Sequence, residues 1–490
     1  MNLIDRLVSA ISPSTGLKRA RSRKATEAVM RYDAASSGRR FKSWSALGTD
    51  ADAAATRRDR VSFVARDMIR NAPLAKRAQM VVRANVVGDG IIPSLAGSKQ
   101  GQAAFLDVVR RHLDTTAIDY RGRLNLYGLQ GLVMNTVFES GEALIIRRRS
   151  SRRDLALPFQ IEVLEPDYLA TWRDGFTATG NLIHDGIEYD ERESAPIAYH
   201  LYKHHPGTQR PFHRSAHFDV ERVLASQVIH VYRQDRPGQM RGISWLAPVA
   251  MHLGDMFEYQ DAQIMKQKVS ALLAVMTSSD EEPLTAPDGS LVNPVIPSTL
   301  SPGAVIETGY GKTATVVQPP RVDGYGEFTS VVCRAIAAGL GITYESLTGD
   351  LSETNYSSAR MGRMEMDRNV SSWQWGMMIP QFCDGLARWM REAWSMSPLP
   401  ALPISSRIEW TPPARIIVDP AKEIPAMRDM VRAGFKTRSM VVRELGYDPE
   451  AVEAEHARDA RVASDLGLSF ETAVGGAMQP KSMENSDEQG

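Results

Sequence analysis

Only two cysteines occur in 490 residues, Cys333 and Cys383. Fifty positions apart, they offer neither a disulfide framework nor the close ligand spacing of a zinc site, which fits a reducing compartment. Net charge is lacking as well, because 58 basic side chains meet 58 acidic ones. A tight, salt-driven nucleic-acid binder carries a clear basic excess, so that class is disfavoured. No apolar run approaches the roughly 18 residues of a membrane span; the best, Val269–Met276, is far shorter. Met1-Asn-Leu-Ile-Asp-Arg-Leu puts charges where a secretory signal needs its apolar stretch. The expectation is a cytosolic, non-membrane protein. With 43% apolar and 24% charged residues, wholesale disorder is excluded. At about 150 residues per domain the length suggests about three units.

What is present is unevenly spread. Residues 1–60 hold thirteen basic and six acidic side chains, a net +7, and residues 441–490 hold four basic and eleven acidic ones, a net −7. A basic interaction arm and a solvated acidic tail are expected. Apolar spacing predicts helices from Arg58 to Val87, broken around Asn71-Ala-Pro73, and further helices over roughly 102–115 and 124–139. Residues 142–232 alternate or cluster β-formers between turn residues and read as antiparallel strands. From Met251 to Met276 a long helix of about seven turns is expected, and after it a Pro/Gly-rich, strand-prone insert to Pro320. Phe328–Leu340 reads as helix, Thr343–Ser358 as a polar loop, and Ala359–Ser395 as a long helix interrupted near Pro380. Asp419–Leu466 reads as three helices with Gly434 and Gly446 as stops and Asp448-Pro449 as an N-cap. The fold class is α+β.

A search for catalytic chemistry finds none. Gly311-Lys312-Thr313 ends like a phosphate loop, but Ile306 stands where the leading glycine belongs and the flanks are Pro-rich; a hairpin turn is the better reading. Five of ten histidines fall between His200 and His217. His213 and His217 could share a helix face, and His204 could approach, but zinc would want a carboxylate or thiolate at matching spacing. No metal and no cofactor are expected. Arg147, Arg148, Arg149, Arg152 and Arg153 form the densest basic run, a possible phosphate contact or a solvated hairpin paired to acids such as Asp154. Met361, Met364, Met366, Met377 and Met378 with Trp373 and Trp375 suggest core packing or a subunit interface before an adaptable partner surface. A helix-turn-helix around Arg438–Leu445 is opposed by its acidic surroundings. Glu162, Glu165 and Asp167 lack a His or nucleophile partner that spacing could support.

Several segments in order nevertheless resemble one family. They are Asn71-Ala-Pro73, Asn85-Val-Val-Gly88-Asp-Gly90-Ile-Ile-Pro93, Glu139-Ser-Gly141-Glu142, Leu164-Glu165-Pro166-Asp167 and, longest, Arg236-Pro-Gly-Gln-Met-Arg241-Gly242-Ile-Ser-Trp245-Leu-Ala-Pro248. Ile336-Ala-Ala-Gly339-Leu-Gly341-Ile-Thr-Tyr344-Glu345, Gly349-Asp-Leu-Ser352-Glu-Thr-Asn355-Tyr-Ser-Ser-Ala359-Arg360 and Asp419-Pro-Ala-Lys-Glu423 follow. From about residue 58 to 468 the chain resembles the lambda-type bacteriophage portal proteins. The resemblance implies a wing, stem, clip and crown assembling as a dodecameric ring at one capsid vertex. By it, residues 1–57 would be a mobile basic arm, 58–245 wing, 246–276 the first stem helix, 277–320 clip and 321–341 the returning stem helix. Residues 342–358 would be the channel loop, 359–418 wing with its long helix, 419–468 helical crown and 469–490 an acidic disordered tail. The implied partners are further copies of the chain, double-stranded DNA read without sequence preference, the terminase large subunit, head-completion or adaptor proteins, and major capsid and scaffold proteins, with no membrane. The implied location is the virion, with assembly in the host cytoplasm. The channel-loop residues would be Glu345, Asp350, Glu353, Asn355, Tyr356 and Ser357. The alternative, a DNA-binding or nucleotide-dependent packaging enzyme, is weakened by the absent phosphate loop and the lack of a catalytic cluster.

Overall fold

The computed structural model describes residues 57–97, 101–150, 152–190, 192, 195–208, 219–271, 275–277, 287, 305–307, 324–414, 417 and 419–468. The expected arm (except Arg57), most of the 277–320 insert with Gly311-Lys312-Thr313, His213, His217 and the acidic tail lie outside these residues.

Helices α1 (Arg58–Asn71) and α2 (Pro73–Val86) meet at Ala72, whose extended backbone ends one helix before Pro73 opens the next. Ala65, Ala75 and Ala78 on their inner faces are almost fully buried, so the two helices pack closely with α4 (Leu126–Ser140). Between them run β1 (Ile92–Ala96) and α3 (Gln102–Val108), the latter continuing as a five-residue π-turn to Leu113. Strand β2 (Glu142–Arg149) follows α4 across Gly141 and is the centre of a three-stranded antiparallel sheet with β3 (Phe159–Leu164) and a later strand, β9. Leu144, Ile145 and Ile146 are buried on both faces, so β2 reads as a continuous apolar run rather than an alternation.

Strands β4 (Gly175–Phe176), β5 (Leu182–His184), β6 (Ile187–Tyr189), β7 (Pro196–Tyr202) and β8 (Val220–Leu224) form a five-stranded antiparallel meander, each pairing with its sequence neighbour. The chain returns to the first sheet as β9 (Val228–Tyr232).

Helix α5 (Ala250–Ala271) is 22 residues long, about six turns. It ends earlier than periodicity suggests, because Val275–Thr277 (β10) pairs in parallel with Val305–Glu307 (β11). Helix α6 (Tyr325–Leu340) runs back. Gly339 leaves room for the Val249 side chain, where an added Cβ would lie 2.5 Å from Cγ1. At the other end Tyr259 stacks on Tyr325 at 5.9 Å and tilts on Phe328 at 4.6 Å. These contacts make α5 and α6 an antiparallel pair. Its root is buried through Leu253 and Met256 on α5 and Ile336, Ala337 and Leu340 on α6. Farther out, Ile264, Met265 and Val331 are exposed.

After a one-turn helix α7 (Tyr344–Thr348), α8 (Tyr356–Trp373) leads into a ten-residue π-helix, Gln374–Cys383, and then α9 (Asp384–Ser395). The expected interruption at Pro380 is thus a change of winding rather than a break. Pro380 has no N–H for an α-helical ladder, and the wider turn accommodates it. The wider winding also aims Gln381 at the free edge of β9. The Tyr232 N–H donates to Gln381 Oε1 at 2.9 Å, and Gln381 Nε2 donates to the Tyr232 carbonyl at 3.0 Å. Strand β12 (Arg407–Thr411) pairs antiparallel with β1, Ile92 opposite Thr411. Helices α10 (Pro420–Arg432), α11 (Arg438–Glu444) and α12 (Pro449–Asp465) complete the described chain. No helix among the described residues is long and apolar enough to cross a membrane.

Candidate functional site

The segment 341–358 sits at the root of the helix pair. Gly341 ends α6 with φ 69°, and the Ile342 N–H reaches back to the Ala337 carbonyl at 3.1 Å. Asn369 on α8 donates to the Gly341 carbonyl at 3.0 Å and fixes the corner. What sequence reads as loop contains a helical turn, because Thr343 caps the Ser346 N–H at 3.1 Å and Leu347 is fully buried beneath it. Arg77 on α2 donates to the Ser346 carbonyl at 3.1 Å. Gly349, at φ 75°, releases the chain outward. Residues 349–353 are all exposed.

The nominated residues therefore divide. Asn355 accepts the Ser358 N–H at 2.8 Å while Ser358 Oγ accepts the Asn355 N–H at 3.2 Å, a reciprocal cap that starts α8. Its role is structural. Asp350 accepts the Ser352 N–H at 3.0 Å, and that hydrogen bond holds its carboxyl below the usual carboxylate range. Glu353 stands in solvent, 3.4 Å from Arg334 of α6, whose guanidinium also lies over the Tyr344 ring. Glu345 is half-buried in α7, Tyr356 opens α8, and Ser357 is exposed in its first turn. The surface offered is short, polar and acidic, tethered at both ends by caps.

The basic run is not one patch. Arg147, at the end of β2, is mostly covered; its guanidinium pairs with Glu392 of α9 and packs on Phe159. Arg148 pairs with Glu162 at 2.9 Å and packs on Tyr120. Arg152 bonds Asp154 across the hairpin. Arg149 and Arg153 remain exposed.

The carboxylates that spacing leaves without partners acquire them in space. Arg66 on α1 contacts Asp167, Glu139 at 3.3 Å and Glu165 at 3.5 Å, and His205 Nε2 lies 3.3 Å from Glu165. Spacing supports no histidine partner for them; the β7–β8 connection delivers His205 instead. Burial works against charge on Asp167, yet the Arg66 guanidinium keeps its carboxyl below the usual range. Glu165, Asp167 and His205 are close enough to share a cation, as are Asp174, His184 and Asp185. In each group a guanidinium already supplies the positive charge: Arg66 in the first, Arg58 and Arg241 beside Asp185 in the second.

One constellation was missed from sequence. Glu142 is buried with Arg241, whose Nε donates to Oε1 at 2.8 Å; His230 Nε2 lies 2.9 Å from Oε2, and the Gly242 N–H donates to Oε2 at 2.9 Å. Burial alone would favour the neutral acid, but Arg241 and His230 hold the carboxyl well below its ordinary value. The backbones around it touch. A Cβ on Gly242 would meet the Gly141 carbonyl oxygen at 2.1 Å, and one on Gly141 would meet Ile243 backbone at 2.4 Å. Two segments singled out separately in the sequence, Glu139–Glu142 and Arg236–Pro248, are thus joined through Glu142, Arg241 and Gly242.

A family model described as phage portal protein, lambda family, matches residues 37–374. The probable portal protein of Halomonas phage phiHAP-1 is 27% identical over 429 residues, 82% of this chain and 80% of that protein. Portal protein B of Escherichia phage lambda is 23% identical over 279 residues, 49% of this chain and 51% of its own length. Among solved structures, a chain of the neck of a native gene transfer agent particle, computed with C12 symmetry, aligns over 78% of this chain and 93% of that one. The identity is 13% and the TM-score 0.42.

Proposed function

The chain belongs to the lambda family of phage portal proteins, structural proteins without catalytic chemistry of their own, and from that premise we propose that it forms the dodecameric ring at one capsid vertex. Through this ring double-stranded DNA is driven by the terminase, retained and later ejected. The proposal includes a virion location after assembly in the host cytoplasm. Besides other copies of the chain, its partners would be the terminase large subunit, adaptor, capsid and scaffold proteins. In this reading α5 and α6 are the stem, the 277–320 segment between them is the clip that meets the terminase, residues 342–358 face the channel, and residues 58–245 and 359–418 build the wing.

The observation that carries the proposal is the antiparallel pair α5–α6, rooted at one end and leaving Ile264, Met265 and Val331 uncovered beyond it. Apolar side chains exposed along a helix pair call for neighbours, and a ring supplies one on each side. Twelve helices, each about 10 Å wide, give a circumference near 120 Å and a clear bore of roughly 28 Å. A duplex close to 20 Å across passes with room for hydration. A translocation channel must also let go of its cargo, because neutralising many phosphates would bind DNA tightly. Exposed Asp350 and Glu353 repel phosphate rather than retain it.

Negative-stain images of the purified chain should show rings with a central hole. A monodisperse monomer of 54.2 kDa under all conditions, with ATP hydrolysis, would overturn the reading. Shortening residues 349–354 between the two caps should leave rings intact and impair DNA packaging or retention; full packaging by that variant would remove the channel-loop assignment.

A further inference from the structure

Helices α10 to α12 have almost no core of their own. Neither α10 nor α11 contains a buried residue, and α12 buries only Pro449. The base of α12 is held through Glu450 beside Gln102, and Arg443 of α11 lies 2.8 Å from Glu409. From Glu453 outward nearly every residue of α12 is exposed. An isolated helix of this length is marginal in water, so its stability must come from burial elsewhere.

The two halves of this region carry opposite charge. Pro420–Glu444 holds six basic and three acidic side chains, a net +3; Pro449–Asp465 holds two basic and five acidic, a net −3. At the turn between α10 and α11, Arg432, Phe435 and Arg438 are exposed together, Phe435 at 80%. On α12 and its C-cap, Glu455, Asp459, Val462 and Leu466 follow the spacing i, i+4, i+7, i+11 and so share one face, all of it exposed. Neither Arg432 nor Arg438, and none of Glu455 and Asp459, has an ion-pair partner within 4 Å among the described residues.

We propose that these are the two sides of one contact between copies of the chain, the α10–α11 turn of one protomer receiving the acidic–apolar face of α12 from its neighbour. A basic turn and an acidic face on the same chain are complementary to each other. A head-to-tail contact needs both signs on every copy, and such a contact repeats around a closed ring. Charge sets the register and the apolar side chains supply the burial. The inference rests on the ring reading and adds the face that closes it at this level.

Full-length chains test it, with ring yield against protein concentration as the readout. Arg432→Glu with Arg438→Glu, or Glu455→Arg with Asp459→Arg, should each raise the concentration needed for rings roughly tenfold or more, since like charges then oppose each other. The four changes together should restore assembly, because every contact regains opposite charges. Circular dichroism checks that each variant stays folded, which the exposure of all four side chains leads us to expect. If wild-type rings form and either pair of changes leaves them unaltered, or the fourfold variant is worse than both pairs, this contact is wrong while the ring reading stands. If the first pair abolishes binding of duplex DNA without touching ring yield, the basic turn serves DNA and the contact is equally overturned. If the wild-type chain forms no rings, both readings fall.

Discussion

Helices α9 and α12 make an instructive pair. The first, twelve residues long, buries Leu386, Trp389, Met390, Ala393 and Trp394; the second, seventeen residues long, buries only its opening proline. Yet α12 has the better start, with Asp448 accepting the Glu450 N–H at 3.2 Å and Pro449 at the first position. Caps and propensity decide where a helix begins. Burial decides whether it stays, and among the described residues α12 finds almost none.

The sharpest way to break the comparison is through charge. Replacing Arg241 with Met strands Glu142 in the interior and should cost about 3–5 kcal/mol. Lys436→Met, which removes the partner of Glu444 at the surface, should cost less than about 1 kcal/mol. Urea unfolding measures both, and similar losses would mean that the buried body of the chain and the helices from α10 onward share one kind of stability. Packing gives the next contrast. Phe382→Ala, in the buried π-helix, should destabilise by about 3–5 kcal/mol. Leu466→Ala, at the C-cap of α12, should change the unfolding of dissociated chains by no more than about 0.5 kcal/mol. A large effect of Leu466→Ala on isolated protomers would show that α12 packs in cis after all.

Acid supplies the smallest and most telling contrast, because the signs differ. Glu142 has its carboxyl pushed down in the folded state, so its contribution is present above the unfolded value near 4.3 and is lost as pH falls below it. Asp448 and Glu450 are pushed up, in both cases chiefly by burial. Their charged forms cost stability at neutral pH, and protonation relieves that cost. Between pH 6 and 4, protection of β2 amides against hydrogen exchange should hold or begin to fall while that at the start of α12 rises. A parallel loss in both places would refute the assignment.

Much of the fold was legible because burial writes itself into periodicity. Leu253 and Met256 mark the rooted face of α5, and Ala75, Ala78 and Val82 mark that of α2. Winding was less legible: nothing in Gln374–Cys383 except Pro380 announces a π-helix, and its use, Gln381 clasping Tyr232, depends on an edge 149 residues away. The candidate site was legible as a polar stretch, but not that Asn355 is spent on a cap or that Thr343 and Leu347 fold a turn within it. Ion pairs were the least visible. Glu142 and Arg241 lie 99 residues apart, and the β2–β9 pairing with the backbone contact of Gly141 and Gly242 brings them together.

The root of the α5–α6 pair has a mechanical consequence. Val249 fills the space beside Gly339, so close packing there opposes sliding of the two helices more than it opposes a pivot. A stiff helix of 22 residues is about 33 Å long, and turning it about 10° at its base sweeps its far end through roughly 6 Å. The same base carries Gly341 and the acidic segment beyond it. Displacement of the outer end would be geared down to a fraction of its size at that acidic segment, and small displacement of the segment would be geared up. The helix pair is a lever whose fulcrum is a glycine.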